Sequence, residues 1–399
     1  MSAKKNDNPD FLKKCISDRC NKLSPSGIRK FFDLLMSMDD VISLGVGEPD
    51  YATPWHISEA AVKSLERGFT MYTSNSGMLE LRQEAVRYIK EHCDVSYDPN
   101  TEILITVGVS EAMDLSMRAV LDPGEEVIVP EPYYVAYPSC VIMAAGKPVF
   151  VPTRQEDGFE IDAADIEKKI TRKTKAIFLG YPSNPTGAVM PREKLQAIAD
   201  VAEKHNLLVI SDEIYARLTY GAEHTCFSSL PGARERTILL GGFSKAWAMT
   251  GWRVGWAMGP KEILAAMTKI HQYTIMSAPT MSQVAALEAL KTGVSDVNDM
   301  VEDYNRRRLI IVKGLNDVGL PCHEPKGAFY AFPNITSTGM TSEVFSEELL
   351  KEERVAVVPG SAFGKSGEGH VRCCYATSLA EIDEALHRIG RFVRKHRKD

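Results

Sequence analysis

The sequence predicts an α/β fold organised on a mostly parallel β-sheet, and three observations carry that expectation. Seven short runs rich in Val, Ile and Leu recur along the chain: "ILITV" from Ile103, "EVIVP" from Glu126, "KPVFV" from Lys147, "KAIFLG" from Lys175, "LLVIS" from Leu207, "TILLGG" from Thr237 and "VGWAM" from Val254. Longer amphipathic stretches, such as "SEAMDLSMRAVL" and "PREKLQAIADVAEKH", separate many of them. The residues that stand out chemically come directly after the runs. Near-continuous apolar strands are those buried on both faces, which requires helices on each side of the sheet. On such sheets ligands bind beyond the carboxyl ends of the strands.

After about residue 296 the texture changes. "VEDYNRRRLIIVKGLNDVG" is a long charged helical pattern, followed by "GAFYAFP", "VAVVPG", "HVRCCYA" and a closing helix, "SLAEIDEALHRIGRFVRKHRKD". Residues 296–399 therefore read as a smaller α+β domain. The first residues, "MSAKKNDNPD", are polar and of mixed charge, without the apolar core of a signal peptide, so 1–20 reads as an arm on a cytoplasmic protein.

The 399 residues exceed one compact core of usual size, which again argues for two domains. With 44% hydrophobic and 25% charged residues the composition is that of an ordinary globular enzyme. A net charge of -6 gives no general attraction to nucleic acid or to an anionic membrane. No apolar stretch approaches the ~18 residues a membrane-spanning helix needs. The eight cysteines form no CxxC motif, and reduced, buried thiols fit them best, as for the adjacent Cys373 and Cys374. The nine histidines show no metal-binding spacing, and no metal is expected.

"GVSEA", Gly108 to Ala112, follows "ILITV" and opens a helix, whose free N–H groups suit an anion. It is neither the phosphate loop GxxxxGK[ST] nor the dinucleotide fingerprint GxGxxG. "YPSNPTG", Tyr181 to Gly187, by itself reads as a turn. Asp212, in "SDEIY" with Tyr215, could cap a helix or pair with a surface base. Lys245 and Arg253 lie in the apolar "GGFSKAWAMTGWRVG", where an unpaired cation is costly unless it reaches solvent or an anion. Pyridoxal phosphate is one ligand that asks for all of these together: an amine for its aldehyde, a carboxylate for its ring nitrogen, donors for its phenolic oxygen and a cradle for its phosphate.

In order, "GEPD", "YTSNSGMLELR", "TVGVSEA", "YPSNPTG", "SDEIY", "SKAWAMTGWRVG", "GAFY" and "HVRCCYA" make the chain resemble the fold-type I, class I/II aminotransferases. It looks closest to the branch of aromatic, aspartate and N-acetyl-diaminopimelate aminotransferases. That resemblance implies a large domain over 51–295, with a seven-stranded sheet between helices, and a small domain joining 21–50 to 296–399. It implies a pyridoxal-phosphate enzyme working by a ping-pong mechanism through a Schiff base on Lys245. Asp212 would pair with the ring nitrogen, Asn184 and Tyr215 would donate to the phenolic oxygen, and the Tyr134 ring would stack on the cofactor. Gly108, Val109, Ser110 and Arg253 would hold the phosphate, with Ser244 a further contact or one contact missing, because Gly242 stands where some relatives carry a hydroxyl. Arg372 and the backbone at Gly47 would receive the substrate's α-carboxylate. Tyr72 would reach the phosphate of a neighbouring subunit, making a homodimer with shared sites. Tyr133 and Tyr137 read as ordinary packing.

Ser110 and Ile28 replace a lysine and a threonine found in one aspartate-using branch, which leans the donor towards aromatic or other neutral, bulky amino acids. The acceptor would be a 2-oxo acid such as 2-oxoglutarate. A C–S lyase or an aminocyclopropane-carboxylate synthase-like enzyme on the same scaffold is the alternative.

Overall fold

The computed structural model describes residues 9–23, 38 and 40–397. Seven strands form its main sheet: β2 (Ile103–Thr106), β3 (Glu126–Glu131), β4 (Lys147–Pro152), β5 (Thr174–Gly180), β6 (Leu208–Asp212), β7 (Thr237–Gly242) and β8 (Gly255–Met258). They lie in the order β2-β8-β7-β6-β5-β3-β4. Each apolar run of the sequence supplies one of them. Strands β2, β3, β7 and β8 are buried along their whole length, because helices such as Gly108–Val120 and Arg192–Lys204 pack on the sheet. β4 is more open and carries prolines at 148 and 152, as suits a strand at the edge of a sheet.

β8 runs antiparallel to both neighbours, β2 and β7. The start of β8 therefore lies at the same edge as the ends of the other strands. Here Gly255 meets the backbone: a Cβ on it would lie 2.9 Å from the Val109 nitrogen and 3.0 Å from the Gly241 oxygen. The helix after β2 can approach the sheet this closely only past a residue without a side chain.

A 24-residue helix, Val294–Asp317, leads to the C-terminal region. There "VAVVPG" does not form one strand. It divides into β10 (Val355–Ala356), which pairs in parallel with β1 (Ile42–Ser43), and β11 (Val358–Pro359), which joins β12 (Val371–Cys374) and β9 (Tyr330–Ala331). The Cys374 amide donates to the Leu44 carbonyl at 2.7 Å, so residues 42–44 are stitched to both small sheets. Asp50, just beyond, receives Arg307 Nη1 of the long helix at 2.7 Å. These contacts hold the intervening "GVGEP" at the mouth of the main sheet. Of the cysteines, all eight free, Cys140, Cys226, Cys373 and Cys374 are buried. Cys15 and Cys20 are exposed, contrary to expectation, because the short helices carrying them lie outside the core clusters.

Gly255→Ala is expected to destabilise the protein by about 1–3 kcal/mol, the usual range for overpacking. Gly251→Ala, with nothing within 4 Å of the added carbon, should stay within ~0.5 kcal/mol of the parent. Chemical denaturation of the two variants checks both values.

Candidate active site

Five strand ends and the start of β8 surround a cavity of about 530 Å3. Gly47, Val109, Ser110, Tyr134, Asn184, Asp212, Tyr215, Ser244, Lys245, Arg253 and Arg372 all line it. A second cavity of about 550 Å3, by Arg154 and His370, gathers no comparable set of groups.

One wall is the N-terminus of helix Gly108–Val120. Glu111 Oε2 accepts the Val107 amide at 2.5 Å. The amides of the first helical residues have no partner within the helix and point towards its positive end. Gly108 has φ +71°, and a Cβ there would sit 2.7 Å from Arg253 Nη2. Arg253 itself has φ +52°, a left-handed conformation that costs an arginine energy and is characteristic of functional sites. Its Nη1 donates to Thr250 O at 2.8 Å, and the side chain remains exposed. Gly242 is a packing position, since a Cβ would lie 3.0 Å from Gly255 Cα and 3.2 Å from Val109 Cγ2.

Lys245 follows β7 and donates from Nζ to the Gly47 carbonyl at 2.7 Å. Burial pushes its ammonium down to about 8, and the positive charges of Arg372 and Arg253 act in the same direction. Asp212 ends β6 and is buried. Burial pushes its carboxyl up to about 6, against hydrogen bonds from the Ile214 amide and the Tyr137 hydroxyl. A depressed amine and an elevated acid thus share one low-dielectric cavity, an arrangement typical of catalytic groups.

Tyr137 is a correction to the sequence reading. Its hydroxyl donates to Asp212 Oδ2 at 3.0 Å, so it orients the acid rather than only packing. Gly180 makes this reach possible. It ends β5 directly opposite Asp212, and a side chain there would strike the Tyr137 hydroxyl. Tyr133 does pack, stacked on Phe150 at 5.0 Å.

Arg372 is only 3% exposed. Nη1 donates to Asn184 Oδ1 at 2.9 Å and Nη2 to Gly45 O at 2.7 Å, while its buried Nε has no partner. The bond to Oδ1 leaves the Asn184 Nδ2 hydrogens for the cavity. An unpartnered N–H on a buried cation suits an anionic ligand. Tyr330 also lines the cavity, with its hydroxyl 2.7 Å from that of Tyr215. The motif "GAFY" pointed to this segment without assigning the tyrosine a role. Tyr72 is 79% exposed and does not line the cavity of its own chain. Ile28 lies outside the described residues.

Charged Asp212 costs folding energy wherever the unfolded carboxyl is ionised and the folded one resists ionisation. Its folded value, about 6, exceeds the unfolded ~3.9, so the cost is complete above pH 6 and absent below about pH 4. Asp212→Asn is therefore expected to stabilise the cofactor-free protein by roughly 2–3 kcal/mol at pH 8, with the gain fading towards pH 4. Thermal and chemical unfolding across that range measure the effect.

The aminotransferase class I and II family model matches residues 39–389. YugH of Bacillus subtilis (strain 168) is 55% identical over 380 residues, covering 95% of this chain and 98% of its own. An aspartate aminotransferase of Pyrococcus abyssi is 46% identical, with the same coverage of 95% and 98%. The crystal structure of an aromatic aminotransferase from Pyrococcus horikoshii OT3 superposes with a TM-score of 0.88 at 46% identity, covering 92% of this chain and 99% of that one. The buried acid, the amine of lowered pKa and the free helix amides beside a guanidinium fit pyridoxal phosphate group by group. The chain belongs to the aminotransferase class I and II family and is a pyridoxal-phosphate-dependent transaminase of fold type I.

Proposed function

We propose that this protein transfers the amino group of an L-amino acid, preferably aromatic or otherwise neutral and bulky, to a 2-oxo acid such as 2-oxoglutarate. The observation that carries the donor preference is the inventory of positive charge. Among the described residues lining the cavity the cations are Lys245, Arg253 and Arg372. Each has a task already, so a carboxylate on the donor's side chain, like the second carboxylate of 2-oxoglutarate, would have to be met by a group outside this set. Val46, Met113, Tyr134 and Val135 add apolar wall.

Bound pyridoxal phosphate supplies an aldehyde that captures amines and a protonated ring that spreads the negative charge left when the α-carbon loses its proton. Asp212 keeps that ring nitrogen protonated, with Tyr137 holding the carboxylate in place. Tyr215 and the Asn184 amide would donate to the phenolic oxygen, and Tyr134 would pack against the ring. The amides of Gly108, Val109 and Ser110, with Ser244 and Arg253, hold the phosphate. Arg372 grips the substrate's α-carboxylate beside the Gly47 backbone. Lys245, with its lowered pKa, would accept the substrate's α-proton on Nζ as a neutral amine and hold it for return to carbon. The small domain, with 21–50 and 296–399, closes over the bound substrate and excludes water.

The assembly we propose is a homodimer with shared sites. Met71, Tyr72 and Tyr273 are 75%, 79% and 86% exposed, and Met276 also reaches the surface. Thr280 Oγ1 donates to Met71 O, and Asn75 Nδ2 to Met276 O, so the segments 71–75 and 276–280 that carry or adjoin these residues lie side by side. An exposed cluster of this kind is suited to burial against a second copy, which would bring Tyr72 to the other subunit's phosphate.

The testing experiment mixes the protein with single amino acids, without acceptor, and follows the absorbance of the bound cofactor. Phenylalanine and tyrosine should react at least about tenfold faster than aspartate, one missing ion pair's worth of discrimination. Faster reaction with aspartate would defeat the donor assignment, and release of pyruvate and ammonia without acceptor would indicate a lyase. Lys245→Ala should abolish turnover. Arg372→Ala should lower kcat/KM by about 100-fold for every donor alike, as expected for losing a charged bidentate contact. A loss confined to acidic donors would move Arg372 to a side-chain role.

A further inference from the structure

Tyr330 opens β9 and is wholly buried, yet its side chain reaches the cavity. The sheet register brings it there. Tyr330 pairs with Cys374 across the antiparallel β9–β12 ladder, and Arg372, two residues along β12, projects from the same face. The Tyr330 ring thereby lies under the Arg372 guanidinium, 4.5 Å from ring centre to central carbon. Its hydroxyl continues past the arginine to stand 2.7 Å from the Tyr215 hydroxyl and 3.4 Å from the Gly47 carbonyl. Gly47 has no side chain at the one point where a Cβ would come within 2.7 Å of that hydroxyl. One tyrosine thus touches groups from both ends of the site.

We propose that Tyr330 is a positioning residue with two separable tasks: its hydroxyl directs the proton of Tyr215, and its ring holds Arg372 for the α-carboxylate. The inference rests on the roles given above to Tyr215 and Arg372. A phenol has one proton. Tyr215 can donate into the cavity only if Tyr330 gives its one proton to the Tyr215 oxygen at 2.7 Å rather than to the Gly47 carbonyl at 3.4 Å, an acceptor that Lys245 already serves at 2.7 Å. Burial pushes both phenols above their ordinary range, so both remain protonated as this arrangement requires. The ring's contribution is electrostatic and directional. A cation held over an aromatic face and shielded from water, as the buried Arg372 is, is attracted to it and confined to one plane. With Nη1 and Nη2 already bonded to Asn184 and Gly45, that plane decides where the unpartnered Nε–H points.

A tyrosine buried only to fill space would tolerate phenylalanine, and this separates the readings. Two measurements are made on cofactor-loaded protein: the pH midpoint of the cofactor's visible band, and the dissociation constant of 3-phenylpropionate, a carboxylate without an amino group. Tyr330→Phe is expected to shift the midpoint by at least half a pH unit and to leave 3-phenylpropionate binding within twofold. Tyr330→Leu should shift the midpoint and also weaken 3-phenylpropionate by about tenfold, the scale of a desolvated cation–π contact. Tyr215→Phe and Arg372→Lys run beside them. If Tyr215→Phe moves the midpoint and Tyr330→Phe does not, the hydroxyl assignment is wrong while the reading of Tyr215 stands. If Tyr215→Phe leaves the midpoint in place, that reading fails and takes the hydroxyl assignment with it. If Arg372→Lys weakens 3-phenylpropionate and Tyr330→Leu does not, the ring assignment is wrong. If Arg372→Lys itself has no effect, the carboxylate role of Arg372 fails and the ring assignment with it. Should Tyr330→Leu not fold, Tyr330→Phe alone still decides the hydroxyl assignment, and Tyr330→Met replaces it in the binding measurement.

Discussion

The guanidinium of Arg372 is the constraint around which the site is built. A buried, singly charged group costs several kcal/mol unless its surroundings compensate. The compensation comes from four points of the chain: Gly45 in the N-terminal segment, Asn184 after β5, the ring of Tyr330 in β9 and the ring of Phe363. Satisfying the arginine therefore requires those parts to be assembled correctly. The stitched contacts from Ile42 to Leu44 and the ion pair of Asp50 with Arg307 serve the same assembly, because they place Gly45 and Gly47 where the arginine and Lys245 need carbonyl acceptors.

The cavity that results is polarised. Lys245, Arg253 and Arg372 supply positive charge, and Asp212 lies buried beneath. Removing Lys245 and Asp212 from water raises the energy of their charged forms and brings the amine near 8 and the acid near 6. Stability is given up here in exchange for reactivity at neutral pH, a familiar compromise at working sites. The left-handed backbone at Arg253 belongs to the same compromise.

The parts of the site legible in the sequence are those tied to strand ends. Asp212, Lys245 and the helix start at Gly108 follow apolar runs directly, so knowing the strands is enough to bring them to one edge. Arg253 precedes a strand, and it reaches the same edge because β8 runs the other way, a fact no local pattern contains. Tyr137 sits in a helix with a mostly apolar composition and looked like packing; only the pairing of Gly180 with Asp212 shows what its hydroxyl reaches. Tyr330 was hidden in the same way, since its partners lie 115 and 283 residues away in the chain.

By itself the sequence determined the alternation of buried strands and amphipathic helices, the family motifs and the kinds of side chain available at each turn. These are properties of short windows, set by periodicity, turn chemistry and side-chain type. The tertiary structure decided the direction of β8, the division of "VAVVPG" between two sheets, and the hydrogen bonds that join Tyr137 to Asp212 and Tyr330 to Tyr215. Those depend on strand register and on close backbone approach at Gly180, Gly255 and Gly47, where a single added carbon would separate the partners. Such distances arise between segments far apart in the chain, and they exist only once the chain has folded.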